Sequence, residues 1–315
     1  MKELRIVFMG TPGFAVGVLE QLVAEGKHIV GVITAPDRPA GRGRKLTPSA
    51  VKEFATKKGL KVLQPTNLKS VDFLEELRAL NANLQIVVAF RMLPKVVWSM
   101  PEYGTFNLHA SLLPSYRGAA PINWAVINGE KKTGVTTFFI DEKIDTGEII
   151  ATSEVDIAPN ETAGSLHDTL MIVGSDLVIE TVNRIEQGSV KTTAQPKTTQ
   201  LKEAPKLTPE NTRIDWSHSS SVIHAFVRGL SPYPVAWTKL KNGKDTLKMK
   251  IYASEGVIES HNYKSGTVFT TKKEIKVATK DGYLYIKELQ LPGKRKMEAA
   301  SLLNGFEFAS EAKVM

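Results

Sequence analysis

Hydrophobic positions in the first half of the chain switch between two periods. Residues 6–9 are an unbroken apolar run; Phe14, Ala15, Val18, Leu19, Leu22 and Val23 then recur at helical spacing, and 29–34 form a second run rich in β-branched residues. A continuous apolar run bounded by Gly reads as a strand covered on both faces, and a 3.6-residue period as a helix with one face on a sheet. The unit repeats: a helix around Val51, Phe54 and Ala55, a short strand at 62–63, a helix carrying Val71, Leu74, Leu77 and Leu80, and strands at 86–89 and 105–108. Such alternation predicts an α/β fold, a Rossmann-like doubly wound and mostly parallel sheet, with its site at the carboxyl ends of the strands. Further strands are expected at 135–140 and 148–155. A long helix follows, with Leu166, Leu170, Val173, Leu177, Val182 and Ile185 on one face and Gly188 past its end.

The pattern then changes. Residues 190–207 are rich in Lys, Thr, Gln and Pro, which reads as a linker. Beyond a helix near 221–227, five short runs at 235–240, 247–253, 266–269, 275–278 and 284–289 are separated by polar turns, the pattern of a small OB-like β-barrel. The expected organisation is a first domain at 1–189, a linker at 190–207 and a second domain at 208–315.

Composition narrows the function. With 315 residues, 42% hydrophobic and 23% charged, the chain has the make-up of a globular protein able to bury two cores. It contains no cysteine, which excludes disulfides, thiol nucleophiles and Cys-based metal sites. The six histidines are scattered with no His-x-x-x-His pair, so no metal site is expected. The first apolar run is too short for a signal peptide or membrane span, which makes the cytoplasm the expected location. A monomer is expected because no apolar stripe is left over.

Charge is unevenly spread. The net charge is +8, and residues 207–315 hold 17 Lys and Arg against 11 Asp and Glu. Lys239, Lys241, Lys244, Lys248 and Lys250 interleave with Leu240, Leu247 and Met249, giving a cationic strand face suited to a polyanion. The plainer alternative is an edge strand guarded by lysines. Residues 38–45, with Arg38, Arg42, Arg44 and Lys45 among glycines, read as a mobile surface loop after the second strand. It is either merely solvated or an arm that grips a phosphate backbone.

The chemistry concentrates in residues 107–114. If 105–108 is a strand, Asn107 and the following His109 point to one face and Leu108 to the other. An amide, an imidazole and, 36 positions after His109, the carboxylate of Asp145 suggest a donor for a developing oxyanion, a proton carrier and a group that orients the carrier. The turn Gly10-Thr11-Pro12-Gly13 occupies a phosphate-binding position but lacks the Gly-x-Gly-x-x-Gly spacing, so it reads as a tight turn seating the first helix. Ser111 lacks a Gly-x-Ser-x-Gly elbow, which argues against a covalent mechanism.

Several ordered motifs add to this reading: Phe8-Met9-Gly10-Thr11-Pro12, residues 36–43, 89–94 and 107–114, Tyr116-Arg117-Gly118-Ala119-Ala120-Pro121, Asp145-Thr146-Gly147 and Arg213-Ile214-Asp215-Trp216. Together they resemble the formyltransferases that use 10-formyltetrahydrofolate, over nearly the whole chain; Gly13 and Ser115 depart from the pattern. The resemblance implies that Asn107, His109 and Asp145 are catalytic and that Ser111, Leu112, Leu113 and Pro114 bind tetrahydrofolate. It implies too that Ala89, Phe90, Arg91, Met92, Leu93 and Asp141 line the pterin pocket. The implied reaction is formyl transfer to the α-amine of methionyl-initiator-tRNA, with the Arg42 loop entering the acceptor arm and the barrel gripping the tRNA backbone. Arg38, Arg44, Lys45, Lys206 and Arg213 are further implied tRNA contacts. A formyltransferase for a small amine, such as a sugar nucleotide or glycinamide ribonucleotide, would explain the trio but leave the basic barrel without a purpose. A non-catalytic RNA-binding protein would leave the trio without one.

Overall fold

In the computed structural model, which describes residues 3–40, 45–196 and 201–315, seven strands of the first half form one sheet. Their spatial order is Ile149–Asp156, Lys132–Phe139, Thr105–His109, Leu84–Val88, Ile6–Gly10, Ile29–Ile33, Val62–Leu63. Ile6–Gly10 and Leu84–Val88 are buried along their whole length, as unbroken apolar runs require. Ile6–Gly10 pairs in parallel with Ile29–Ile33 on one side and Leu84–Val88 on the other, so the strand order reverses there. The crevice at such a reversal is where open α/β sheets bind ligands. Gly10 stands at that point because a Cβ would lie 2.6 Å from Ala15 Cβ and 3.1 Å from the Val88 carbonyl; the turn exists to seat helix Gly13–Ala24.

Thr105–His109 pairs in parallel with Leu84–Val88 and antiparallel with Lys132–Phe139. Helix Ala163–Glu186 covers this part of the sheet: Gly174 leaves room for Leu108, whose Cδ2 would be 2.9 Å from an added Cβ, and Thr181 Oγ1 meets Thr137 Oγ1 at 2.8 Å. With Leu108 turned to the helix, Asn107 and His109 face away from it.

Two stretches read as loop and linker carry backbone pairing in their described parts. Arg38–Ala40 and Lys45–Thr47 form an antiparallel ribbon with Pro39 opposite Leu46, where the sequence suggested a mobile loop. The glycines and arginines between the two short strands hide any alternation. Residues 41–44, which include Arg42 and Arg44, lie outside the described residues, as does the side chain of Lys45. In the expected linker, Thr193 exchanges backbone hydrogen bonds with Ile149 at 2.8 and 2.9 Å.

Backbone contacts divide the chain into two units, Met1–Gly118 with Thr133–Val155 and His167–Glu203, and Ala119–Lys132 with Asp156–Leu166 and Ala204–Met315. The second unit is built on a sheet in the order Val268–Thr270, Ile275–Ala278, Gly282–Gln290, Asp245–Ile258, Ala236–Asn242, Lys313–Val314. Lys313 also bridges Thr267, and the Val314 N–H donates to the Gly266 carbonyl at 2.8 Å, so the last strand closes the sheet on itself as a barrel. Leu240, Met249, Ile251, Val277, Leu284 and Leu289 fill it. Ile214 and Trp216 enter the same core, with Trp216 Nε1 donating to Thr238 Oγ1 at 2.9 Å, while Arg213 and Asp215 stay outside.

Candidate functional site

His109 ends its strand with a buried ring. Its Nε2 lies 2.8 Å from the Tyr116 carbonyl oxygen, which can only accept, so Nε2 carries a hydrogen. The other nitrogen, Nδ1, faces Asp145 Oδ2 at 3.9 Å, beyond direct hydrogen-bond reach. Asp145 lies beside the ring without a direct hydrogen bond to it. The carboxylate is held by the Gly118 N–H at 3.0 Å, leaving Nδ1 open to a proton with a negative charge beside it. Asn107, two residues before His109 on the same face, is half-buried, and among the described residues its amide has no hydrogen-bond partner. A half-buried amide left unpaired by the protein is available to a ligand.

The Asp145 turn is shaped by its neighbours. Gly147 admits no side chain, since a Cβ would sit 1.6 Å from the Phe139 carbonyl oxygen. Asp145 is held left-handed at φ 55°. Asp141 accepts from the Lys143 N–H at 3.0 Å and from Thr146 Oγ1 at 2.7 Å, closing the turn upon itself.

After His109 the chain makes a compact corner. Ser111 Oγ donates to the Ser115 carbonyl at 2.7 Å, and Thr136 Oγ1 both donates to the Ser111 carbonyl at 2.7 Å and accepts from the Leu113 N–H at 3.2 Å. Ser111 is buried, so its hydroxyl serves the corner. Leu112 packs on Gly134, where a Cβ would be 2.6 Å from Leu112 Cδ2; Leu113 is buried and its bond to Pro114 is cis.

Residues 89–93 leave the sheet beside the strand reversal. Ala89 is left-handed at φ 47°, Leu93 is buried, and Met92 is 68% exposed. Arg91 donates to the carbonyls of Pro65 and Thr66 and packs over the Phe90 ring. Burial first, and then the nearby Arg38, push its pKa below the usual guanidinium value. A cavity of about 750 Å³ is lined by Thr66, Arg91, Met92, Leu93 and Trp98. The Lys95–Glu142 ion pair, 2.6 Å long, joins residues of the same lining. Among the described residues, no group of three or more His, Asp or Glu side chains could hold a metal ion, and no helix is long and apolar enough to cross a membrane.

On the barrel, Lys239 stands directly opposite Lys248, Lys241 opposite Lys313, and Trp237 opposite Lys250. Ala236–Asn242 is hydrogen-bonded on both sides, so its lysines do not guard an edge. Among the described residues neither Lys239 nor Lys248 has a carboxylate partner; the Lys248 ammonium lies 4.2 Å from the centre of the Trp237 ring, with Arg213 over the same ring at 5.8 Å. Lys206 is exposed in this unit.

The structure brings His109 and Asp145 together and sets Asn107 on the same face. It also supplies contacts that the motifs do not reveal, made by the Tyr116 carbonyl and the Gly118 N–H, and two residues outside every motif, Thr136 and Gln195. Two of these act through backbone atoms, which no side-chain pattern signals.

Residues 4–182 match the formyl transferase family and residues 206–307 match the formyl transferase C-terminal domain. A methionyl-tRNA formyltransferase from Flavobacterium johnsoniae is 60% identical over 314 residues, covering 100% of both chains. One from Bacteroides thetaiotaomicron is 52% identical, covering 99% of both. Among solved structures, HypX from Aquifex aeolicus in complex with tetrahydrofolic acid shares the fold at a TM-score of 0.63 and 19% identity, over 96% of this chain and 47% of that one. WlaRD, a sugar 3N-formyl transferase, does so at 0.64 and 20%, over 94% and 100%. This chain therefore belongs to the formyl transferase family, among its methionyl-tRNA formyltransferases.

Proposed function

We propose that this chain transfers the formyl group of 10-formyltetrahydrofolate to the α-amine of methionyl-initiator-tRNA, with Asn107, His109 and Asp145 as the reacting constellation. The observation that carries the assignment is the unpartnered Asn107 amide on the same strand face as a buried imidazole whose free nitrogen looks at a carboxylate. The amine attacks the formyl carbon, and Asn107 Nδ2 donates to the oxygen that becomes negative in the tetrahedral intermediate. His109 Nδ1 takes up the amine proton, Asp145 stabilises the resulting imidazolium, and the proton leaves with N10 of the folate as the C–N10 bond breaks. Tyr116 fixes the ring throughout through Nε2–H.

The corner Ser111, Leu112, Leu113 and Pro114 borders the folate beside the reacting carbon, with the buried Ser111 and Leu113 holding the corner's backbone in place, and residues 89–93 with Asp141 enclose the pterin ring. The cavity beside Arg91, Met92 and Leu93 supports this, being large enough for part of such a ligand. Residues 1–189 carry catalysis, 190–207 connect, and 208–315 bind tRNA through Arg213 and the lysine face, joined by Lys206 at the end of the connecting stretch; Arg38, Arg42, Arg44 and Lys45 contact the acceptor arm. The protein works as a cytoplasmic monomer, which size-exclusion chromatography with light scattering checks.

The deciding experiment compares formyl transfer to methionyl-initiator-tRNA, methionyl-elongator-tRNA and free methionine under one set of conditions. Transfer confined largely to the initiator is the expected result. Transfer only to a sugar nucleotide or glycinamide ribonucleotide overturns the acceptor, and tRNA binding without any transfer overturns the enzyme.

A further inference from the structure

We propose that Gln195, in the stretch that reads as a linker, is a positioning residue that holds the Asp145 carboxylate against His109, with Arg117 as its anchor. The inference rests on the catalytic reading of Asp145 given above.

Gln195 Nε2 donates to the Asp145 carbonyl at 2.9 Å and to the Gly147 carbonyl at 2.8 Å, using both amide hydrogens on one turn. Its Oε1 accepts from Arg117 Nη2. A primary amide is the side chain that offers two donors at one end and an acceptor at the other. A carboxylate there would face two carbonyl oxygens, and an apolar chain would leave them unpaired. The residue after Arg117 completes the arrangement, because the Gly118 N–H holds Asp145 Oδ2 at 3.0 Å. Asp145 is thus fixed at both ends, its carbonyl by Gln195 and its carboxylate by Gly118.

The turn needs such restraint. Asp145 has a φ of 55°, a conformation that non-glycine residues adopt rarely and keep when their surroundings impose it. The surroundings here are set by register. Thr193 is locked to Ile149 by two backbone hydrogen bonds, and Thr192 Oγ1 donates to Glu148 Oε2 at 2.5 Å, so Gln195 arrives opposite the turn. Arg117, Thr146 and Gln195 share the lining of a cavity of about 640 Å³. Among the described residues the Arg117 guanidinium pairs with no carboxylate and its buried Nε has no partner, while Nη2 donates to Gln195. With the clamp gone, the Asp145 peptide can relax towards an ordinary φ, which swings its carboxylate off the 3.9 Å approach to His109 Nδ1. Gln195 therefore reaches the chemistry only through Asp145.

A double-mutant cycle on the full chain tests this, measuring kcat and both KM values with 10-formyltetrahydrofolate and methionyl-initiator-tRNA for the parent, Gln195→Met, Asp145→Asn and the pair. The expected result is a fall in kcat of ~10-fold or more for Gln195→Met, with both KM values within about twofold of the parent. In the Asp145→Asn background the same change should cost less than about twofold. An unchanged kcat for Gln195→Met, or the same factor in both backgrounds, overturns the clamp. An Asp145→Asn variant as active as the parent instead overturns the reading of Asp145, so the two failures are told apart. If Gln195→Met does not accumulate folded, Gln195→Asn, which keeps an amide one methylene short, replaces it under the same criteria.

Discussion

Asn107 is a half-buried amide on the same face as His109, and no residue of the described structure uses it. Such an amide is free to meet a ligand, and a donor used mainly when charge develops contributes to the rate rather than to binding. Asn107→Ala should therefore lower kcat by ~10²–10³ with the dissociation constant for 10-formyltetrahydrofolate nearly unchanged. Single-turnover kinetics beside a folate titration separate the two, and a loss seen only in folate affinity rejects the oxyanion role. Residues whose chemistry is carried by side chains are legible in the amino-acid sequence alone. Asn107 and His109 stand out because such groups are expensive at a strand end without a purpose, and Asp145 because it heads a carboxylate-Thr-Gly turn on the return path. Gly147 is legible as part of a motif, but its reason, a carbonyl oxygen 1.6 Å from where a Cβ would be, exists only in three dimensions. Tyr116 is not legible at all in its role, since it acts on His109 with a backbone carbonyl from a left-handed φ of 61°.

Among the elements, long periodic segments are legible in the sequence, while short ones are legible unevenly: Val62–Leu63 stands where its apolar pair predicts a strand, and others leave no pattern. The helix expected from Phe14, Ala15, Val18, Leu19, Leu22 and Val23 buries the first five of these side chains and half-buries Val23, because burial on one face is what created the period. Lys313–Val314 has two residues, too few to show any alternation, yet it closes the barrel. Helix Ser220–Gly229 carries a group whose behaviour follows from its packing. His224 lies against Ser254, with Nδ1 3.2 Å from Oγ; burial first, and then Arg228, lower its pKa from 6.5, while Glu255 opposes them. The unfolded chain then binds a proton that the folded barrel refuses, so stability is full above the unfolded value near 6.5 and falls as pH drops through it towards the lowered folded value. Melting temperatures between pH 7.5 and about 5 should fall for the parent and fall less for His224→Gln. Equal slopes for the two proteins would show that His224 does not titrate differently in the folded state.

At the scale of the whole chain the informative quantity is where the charge lies. Of a net +8, residues 207–315 hold 17 cationic against 11 anionic side chains, and the barrel spends several of the cations on one face. Lys239 opposite Lys248 and Lys241 opposite Lys313 are arrangements that cost stability, since like charges directly across a ladder repel. Because Ala236–Asn242 is paired on both sides, protection of a free edge does not explain them. The proposed polyanion would: each phosphate settling there would release condensed counterions and relieve the repulsion at once. The two effects of removing the charge should therefore have opposite signs. For Lys239→Gln with Lys248→Gln, thermal stability of the free protein should rise or hold, while tRNA affinity falls by a similar factor for initiator and elongator. The slope of log affinity against log salt should shrink by ~0.7–0.9 for each phosphate the variant no longer neutralises, about 1.5 for the pair. Filter binding of both tRNAs across a salt series measures this directly. A slope equal to the parent's would mean that the ladder carries its repulsion for some other reason, and that tRNA neutralises cations elsewhere in the chain.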